Sequence, residues 1–253
     1  MAELRRNSPH FCSMPDPKDS VKHLYFSELD STQAWAHENP DSWCPSGWTA
    51  ITAGTQRQGR GSGGSTWTDV PGSSLLMTLV SPAIEWSAPY VFVRHAQASL
   101  CTAEWLQVRG VEARLKWPND LYLNRLKLGG FLTEAYWSQG LCTRWFLGLG
   151  LNLTEAPEGA AAAPGLQRDG LAEDLAGHLA AALSRPVGAD LLVRYSSQLL
   201  GWQAECGFRD RATGEAFVAT PRFLSPDGRL GIQLPSGAVR WVGHKEVEWT
   251  DFS

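Results

Sequence analysis

The chain lacks the features that direct a protein to a membrane, to a disulfide framework or to nucleic acid. No apolar run is long enough to span a bilayer, and the polar, proline-broken N-terminus has no signal-peptide core. The five cysteines are scattered without a CxxC pair, which is typical of free thiols. The net charge is -4, and no dense basic run is present. We therefore expect a cytoplasmic protein with neither nucleic acid nor a membrane as its main partner.

The composition favours a folded protein, and the pattern of apolar residues along the chain favours an α+β domain followed by a smaller β domain. Hydrophobic residues make up 43% of the 253 residues and charged residues 19%, which is enough for a packed core. The last stretch alternates apolar and polar residues between Pro-Asp-Gly and Pro-Ser-Gly turns. We predict a loose leader over 1–21, a mixed β-sheet flanked by helices over 22–208, and a small antiparallel β-barrel over 209–253.

Hydrophobic periodicity places the main elements of the first domain. Strands are predicted at 23–29, 47–55, 73–82 and 144–153, and a strand pair around 114–137 turns at Asn124 and Arg125. A helix is predicted from Tyr90 to about Val108, with Arg94 and Gln97 largely outside its apolar face. Two further helices are predicted at 171–185 and 190–206.

A glycine-rich loop at 56–67, QRQGRGSGGSTW, is the first segment that suggests chemistry. Glycines let the main chain approach a ligand, and successive N–H groups form a concave anion site. Arg60 adds a planar cation that suits phosphate or carboxylate. The spacing matches neither a Walker A nor a Rossmann fingerprint, and alone such a loop is more often a flexible surface segment.

The segment at 116–130, KWPNDLYLNRLKLGG, carries the stronger signal. A hairpin here returns the chain at Lys127, so that Lys127 and Asp120 approach one pocket. Gly129 and Gly130 leave space beside the lysine for a bulky flat group. An isolated surface lysine on a hairpin needs no function. Here, however, the polar pair Asn119 and Asp120, the lysine and the two glycines occur together, which is what a nucleotide site requires.

Four motifs together resemble the bacterial biotin–protein ligase family, also called biotin–[acetyl-CoA-carboxylase] ligases. They are DST (30–32), Q..GRG..G..W (56–67), KWPNDLYL...KLGG (116–130) and LGLGLNL (147–153). The resemblance covers roughly 24–152, and the C-terminal segment is similar to the SH3-like domain that follows the core in that family. About twenty residues precede the first predicted strand, so we expect no N-terminal DNA-binding domain.

The resemblance implies that the chain joins biotin to ATP to give biotinyl-5′-AMP and pyrophosphate. The biotinyl group then passes to a lysine of a biotin carboxyl carrier protein or carboxylase domain. ATP implies Mg²⁺ as a co-substrate metal without a metal site on the protein, and the family allows a homodimer. By motif position, the implied catalytic residues are Lys127, Arg60 and Asp120. The implied biotin contacts are Ser31, Thr32, Gln56, Gly59, Arg60, Gly61, Lys127 and Gly130, and the implied nucleotide contacts are Arg60, Trp67, Asn119, Asp120, Lys127 and Asn152.

Three positions depart from the family pattern. The family often carries arginine at the position of Ser62 and another basic residue at Ser65, and asparagine is usual at Gln33.

Two other functions compete with this interpretation. A lipoate–protein ligase shares the expected fold and a Ser-Gly-Gly run, but KWPND, the GRG triplet and the barrel argue against it. A non-catalytic biotin-binding protein is a further alternative, against which the joint presence of Lys127, Arg60 and Asp120 argues.

Overall fold

The computed structural model describes residues 21–163 and 165–252. Most of the leader predicted over 1–21 lies outside the described residues, and Val21 already belongs to the first strand. The strands are β1 Val21–Leu29, β2 Trp48–Gln56, β3 Ser74–Val80, β4 Arg114–Lys116, β5 Asp120–Leu123, β6 Leu126–Ser138, β7 Leu141–Asn152, β8 Cys206–Asp210, β9 Ala216–Leu224, β10 Leu230–Gln233, β11 Val239–Val242 and β12 Val247–Phe252. The helices are α1 Thr32–Glu38, α2 Ala88–Val108, α3 Leu171–Leu183 and α4 Leu191–Ser197.

A seven-stranded mixed sheet forms the first domain, with the order β1-β2-β3-β7-β6-β5-β4. Only β1 and β2 run parallel; the other neighbours are antiparallel. One face packs against α2 and α3 through a large apolar cluster that includes Leu79, Leu106 and Leu147. The opposite face carries α1, where Ala36 packs against Ile51 and Phe146. The predicted mixed sheet flanked by helices is therefore confirmed.

The C-terminal strands form a second, antiparallel sheet with the order β11-β10-β9-β8-β12. Its strands turn at glycines with left-handed backbone, such as Gly228 and Gly237, as the Pro-Asp-Gly and Pro-Ser-Gly sequences predict. This sheet is consistent with the predicted SH3-like barrel. It rests on the first domain, where the Trp117 indole donates to the Gly228 carbonyl over 3.0 Å. The predicted division at 208/209 stays a prediction; β8 begins at Cys206.

Two predictions about helices are wrong. Arg94 and Gln97 are buried, because the Arg94 guanidinium donates to Gln97 and to the Arg185 carbonyl, and the Gln97 amide donates to the Ala182 carbonyl. Contacts with the end of α3 thus satisfy polar groups that the periodicity placed in solvent. The helix predicted over 190–206 ends at Ser197, after which the chain turns through left-handed conformations at 201 and 203.

Candidate active site

A pocket opens on the α1 face of the large sheet, where the N-terminus of α1 meets the glycine-rich loop and the β5–β6 hairpin. The lining includes ten of the twelve residues implied by the motifs: Ser31, Thr32, Gln56, Arg60, Gly61, Trp67, Asn119, Asp120, Lys127 and Gly130. The fold therefore gathers segments that lie up to a hundred residues apart in the chain into one pocket.

The N-terminus of α1 forms the polar end of this pocket. The Ser31 hydroxyl caps the helix by accepting from the Ala34 N–H over 3.3 Å. The Gln56 carbonyl oxygen accepts from the Thr32 N–H over 2.7 Å and from the Thr32 hydroxyl over 3.1 Å. The Thr78 hydroxyl on β3 lies within hydrogen-bond distance of two oxygens, 2.9 Å from the Thr32 hydroxyl and 3.0 Å from the Gln33 carbonyl oxygen, and its one hydrogen is shared between them. These contacts fix the Gln56 and Gln33 amides by their oxygens.

Glycines on β6 and β7 form the floor of the pocket. A Cβ at Gly150 would overlap the Trp67 indole, which lies flat over the strand there. A Cβ at Gly148 would lie 2.9 Å from the Gln33 carbonyl oxygen, and one at Gly130 would lie 3.0 Å from Asp120 Oδ1. Each position admits a neighbouring functional side chain because it carries none of its own.

Lys127 and Asp120 form an ion pair at the other end of the pocket. Lys127 Nζ lies 2.8 Å from Asp120 Oδ1, and 5.9 Å from the centre of the Trp67 ring. The hairpin between them turns at Asn124 and Arg125, both with positive φ, as predicted. The expected approach of Lys127 to Asp120 is therefore confirmed.

Buried groups beneath the hairpin hold the segment that carries Asp120. The Pro118 carbonyl accepts from the Tyr195 hydroxyl and lies the same distance, 2.9 Å, from His95 Nε2. Burial lowers the pKa of His95 to about 4, so the ring is neutral at pH 7. Neutral His95 donates through Nε2 to Pro118 and accepts from the Thr133 hydroxyl at Nδ1. Sequence reasoning missed His95 and Tyr195, since both lie on distant helices.

The glycine-rich loop is tied to the sheet by two contacts that the motifs did not indicate. Arg60 donates to Glu134 on β6 over 3.3 Å, and the other oxygen of Glu134 lies 2.9 Å from His37 Nε2. Hydrogen bonds with His37 and then with the Gln33 side chain lower the pKa of Glu134, with a further contribution from the charge of Arg60. Across the pocket, the Asn119 amide donates to the Ser62 hydroxyl over 3.1 Å. Ser62 thus contacts the hairpin directly.

Two of the implied residues lie outside the pocket lining. Gly59 accepts from the Trp67 N–H over 2.9 Å, and a Cβ there would lie 2.5 Å from the Trp67 carbonyl, so it brings the two limbs of the loop together. Asn152 is buried, and its amide donates to the Ala161 carbonyl over 3.0 Å. Its contact with a nucleotide stays a prediction.

A wider cleft of about 460 Å³ continues from Asp120 and Lys127 towards the barrel. Its basic side chains are Lys116, Lys127, Arg211 and Lys245, and its acidic ones are Asp120 and Glu248. Burial lowers the pKa of Lys116 and of His244 in this cleft. With two more cations than carboxylates, the cleft suits a polyanion, although the whole chain is acidic.

Among residues 21–163 and 165–252, no group of three histidine, cysteine or acidic side chains is arranged to hold a metal ion. In the same part of the chain, none of the helices combines the length and the apolar character that a membrane crossing requires.

The chain is similar in sequence to one protein family and to several of its characterised members. A sequence model described as "Biotin/lipoate A/B protein ligase family" matches residues 25–152. The bifunctional ligase/repressor BirA of Bacillus subtilis is 31% identical over 136 residues, which is 53% of this chain and 41% of that protein. The biotin–[acetyl-CoA-carboxylase] ligase of Paracoccus denitrificans is 35% identical over 144 residues, covering 55% of this chain and 58% of that protein. The chain thus spans about half the length of these curated relatives.

A solved structure extends the similarity of fold beyond the matched segment. The biotin protein ligase of Aquifex aeolicus, determined in complex with biotin and ATP, superposes with a TM-score of 0.69. The superposition covers 91% of this chain and 99% of that one, at 20% sequence identity. At that identity the agreement shows a shared fold, which includes the C-terminal sheet.

Proposed function

The chain belongs to the biotin/lipoate A/B protein ligase family, and we propose that it is an ATP-dependent biotin–protein ligase. One observation carries the proposal: the Lys127–Asp120 ion pair faces the same pocket as the Ser31 hydroxyl and the Gln56 amide. One end of the pocket therefore offers hydrogen bonds to a neutral head group, and the other offers charge to a carboxylate and a phosphate. Adenylation of an acid requires this division.

In the proposed first step, a biotin carboxylate oxygen attacks the α-phosphorus of ATP. A bond forms between that oxygen and phosphorus, and the bond to the β-phosphate oxygen breaks to release pyrophosphate. Lys127 stabilises negative charge where the carboxylate meets the phosphoryl group. Arg60 is half-exposed on its loop and pairs with Glu134. In this step it leaves Glu134 and binds the incoming anion instead. Trp67 and Asn119 line the space that the adenosine and its phosphate would occupy.

In the proposed second step, the amine of a carrier lysine attacks the carbonyl carbon of biotinyl-5′-AMP. The new bond is an amide, and AMP leaves with the electrons of the broken carbon–oxygen bond. The amine must also lose a proton. We propose that Asp120, the carboxylate at the reacting end of the pocket, accepts it. We propose that the carrier lysine reaches this end of the pocket through the cleft that opens towards the barrel. The biotinylated product is then a modified protein, and a homodimer of the ligase remains an expectation.

Mg²⁺ fits this proposal as part of the ATP complex. Hard divalent cations prefer oxygen ligands, and Mg²⁺ commonly binds phosphates and water with one or two protein carboxylates. Asp120 and Glu248 are the carboxylates that line the cleft. When bound, the ion would offset charge on the departing pyrophosphate.

Biotin is proposed in preference to lipoate because the closed end of the pocket is polar. Ser31, Thr32, Gln33 and Gln56 surround it, which suits the cyclic urea of biotin. A dithiolane ring offers no carbonyl acceptor to the Ser31 hydroxyl or to the Gln56 NH₂ group, and a polar group that loses a hydrogen-bond partner on binding lowers affinity. A non-catalytic biotin-binding protein would not need the Lys127–Asp120 pair beside the carboxylate end.

Transfer to a carrier tests the complete function. The purified chain, ATP, Mg²⁺ and biotin are incubated with a biotin carboxyl carrier domain, and intact mass is measured. We expect one biotinyl increment on the wild-type carrier and none on a carrier whose acceptor lysine is replaced by arginine. Binding of biotin without any mass increment would support the non-catalytic alternative.

A further inference from the structure

We propose that Glu134 is a positioning residue that holds the Arg60 guanidinium in the free protein and competes for it with the anionic end of the substrate. Glu134 thereby lowers the affinity of the site for a carboxylate without contacting the ligand itself. The inference rests on the proposed function, in which Arg60 binds the incoming anion, and it assigns a role to a residue that lies outside the four motifs.

Glu134 lies beside the pocket and not in its lining. It belongs to β6 and pairs with Phe146 on β7. Its carboxylate contacts Arg60 and the Gln33 side chain, and these two residues do line the pocket. Glu134 therefore acts on a bound anion through a neighbour, and Arg60 is the neighbour that carries charge.

The carboxylate of Glu134 is fixed from the side of α1. Its Oε2 lies 2.9 Å from His37 Nε2, and the Tyr136 hydroxyl lies 3.0 Å from the other ring nitrogen of His37. The pKa of Glu134 is lowered, first by the hydrogen bond with His37, so the carboxylate is ionised at pH 7 and accepts from Nε2. The His37 ring packs against Phe146, with ring centres 4.1 Å apart. These contacts keep the carboxylate in place when Arg60 moves.

The contact between Glu134 and Arg60 is the looser of the two ion pairs that Glu134 makes. One guanidinium nitrogen, Nη2, approaches Glu134 Oε1 over 3.3 Å, and the Arg60 side chain is 49% exposed. A bidentate pair, the strongest that arginine forms with a carboxylate, would use two N–H groups. When Arg60 turns to a substrate anion, Glu134 keeps His37 and Gln33 as donors. Release of Arg60 therefore costs the protein little, but not nothing.

The free site is balanced in charge. Among the described residues, two cations line the pocket, and each pairs with a carboxylate: Lys127 with Asp120 over 2.8 Å, and Arg60 with Glu134. A substrate anion gains Arg60 only in molecules where the guanidinium has left Glu134, so the apparent affinity falls by that fraction. An uncharged ligand has no use for Arg60 and is not affected by this competition.

A double-mutant cycle with two matched ligands tests the competition. Dissociation constants for biotin and for biotinol, in which a neutral hydroxymethyl group replaces the carboxylate, are measured by calorimetry. The proteins are the wild type, Glu134→Gln, Arg60→Gln and the double variant, and Glu134→Ala repeats the test with a second change. Glu28→Gln is the matched control, because Glu28 pairs with Arg57 of the same loop over 3.4 Å, and neither residue lines the pocket. Thermal unfolding of each variant reports on folding.

We expect Glu134→Gln to bind biotin about two- to fivefold more tightly than the wild type, which is the range that an exposed ion pair supports. Its affinity for biotinol should equal that of the wild type. In the Arg60→Gln background the same substitution should change neither dissociation constant, because the competition acts through the guanidinium. Glu28→Gln should bind both ligands as the wild type does.

Unchanged or weaker binding of biotin by the folded Glu134 variants would overturn the inference. An equal gain for biotinol, or an equal gain in the Arg60→Gln background, would also overturn it, since either would indicate an effect that does not pass through Arg60. These results would leave the ligase proposal intact. Absence of biotin binding by the wild type would overturn both.

Discussion

Lys127 Nζ lies 2.8 Å from Asp120 Oδ1, across a hairpin whose register shifts between Leu121 and Tyr122. Tyr122 pairs with Lys127, whereas Asp120 pairs with Gly130, so β6 contains one extra residue. This bulge brings the lysine and the carboxylate together at one end of the pocket. The pair is the feature on which the proposed adenylation depends.

Replacing Lys127 by alanine should reduce adenylate formation by about 100- to 1000-fold, the effect typical of removing one donor from a transition state. The free energy of unfolding should change by less than about 1 kcal/mol, because the lysine is 42% exposed. Single-turnover formation of biotinyl-5′-AMP measures the first effect and urea unfolding the second. Lys22→Ala, at an exposed site on β1, is the control, and full activity of Lys127→Ala would remove the lysine from the mechanism.

Gly150→Ala should displace Trp67, because the added methyl group overlaps the indole. We expect the KM for ATP to rise by tenfold or more, on the order expected when a small misplacement spoils binding geometry. Gly243→Ala is a matched control, since a Cβ there meets nothing closer than 3.4 Å. Steady-state kinetics check the KM, and a crystal structure of the variant checks the displacement of Trp67; a normal KM would place the nucleotide elsewhere.

The stability of the chain should depend on His95 below neutral pH. Burial lowers its pKa from 6.5 to about 4, so the unfolded chain binds the proton more readily than the folded one. The stabilisation of the folded chain that comes from neutral His95 is complete above pH 6.5 and is lost as the pH falls towards 4. Between pH 7 and pH 5, the wild type should lose about 2 kcal/mol more unfolding free energy than His95→Gln. Urea unfolding at both pH values measures this difference; parallel losses in the two proteins would contradict it.

Much of the site could be predicted from the sequence because its residues lie in contiguous motifs. The hairpin at 116–130 has a strong turn signal, and its two chemical groups are only seven positions apart. Asn119 and Ser62, by contrast, meet across 57 positions, and Arg60 meets Glu134 across 74. Such contacts depend on strand order, which local patterns do not determine.

The errors of prediction have the same origin. Arg94 and Gln97 fall outside the apolar face that periodicity gives to α2, yet both are buried, and carbonyl groups near the end of α3 accept hydrogen bonds from them. A helical pattern over 190–206 likewise gives way after Ser197, where the chain turns back to pair with β4 at Leu115. In both places tertiary hydrogen bonds outweigh local periodicity.

Ser62→Arg should slow the release of biotinyl-5′-AMP. Ser62 faces the pocket from the glycine-rich loop, beside Asn119, and an arginine there adds a cation near the phosphate. A charged hydrogen bond of ordinary strength would lengthen the half-life of the bound adenylate by about tenfold or more. Dissociation of labelled adenylate measures the half-life, with Ser138→Arg at an exposed position as the control. Unchanged or faster release would show that Ser62 does not control retention.

The most direct test of the central claim is pyrophosphate exchange into ATP by the purified wild-type chain. The assay contains labelled pyrophosphate, ATP and Mg²⁺, with biotin, lipoate or neither acid. We predict exchange that requires biotin and is absent with lipoate. Exchange with lipoate and none with biotin would contradict the account.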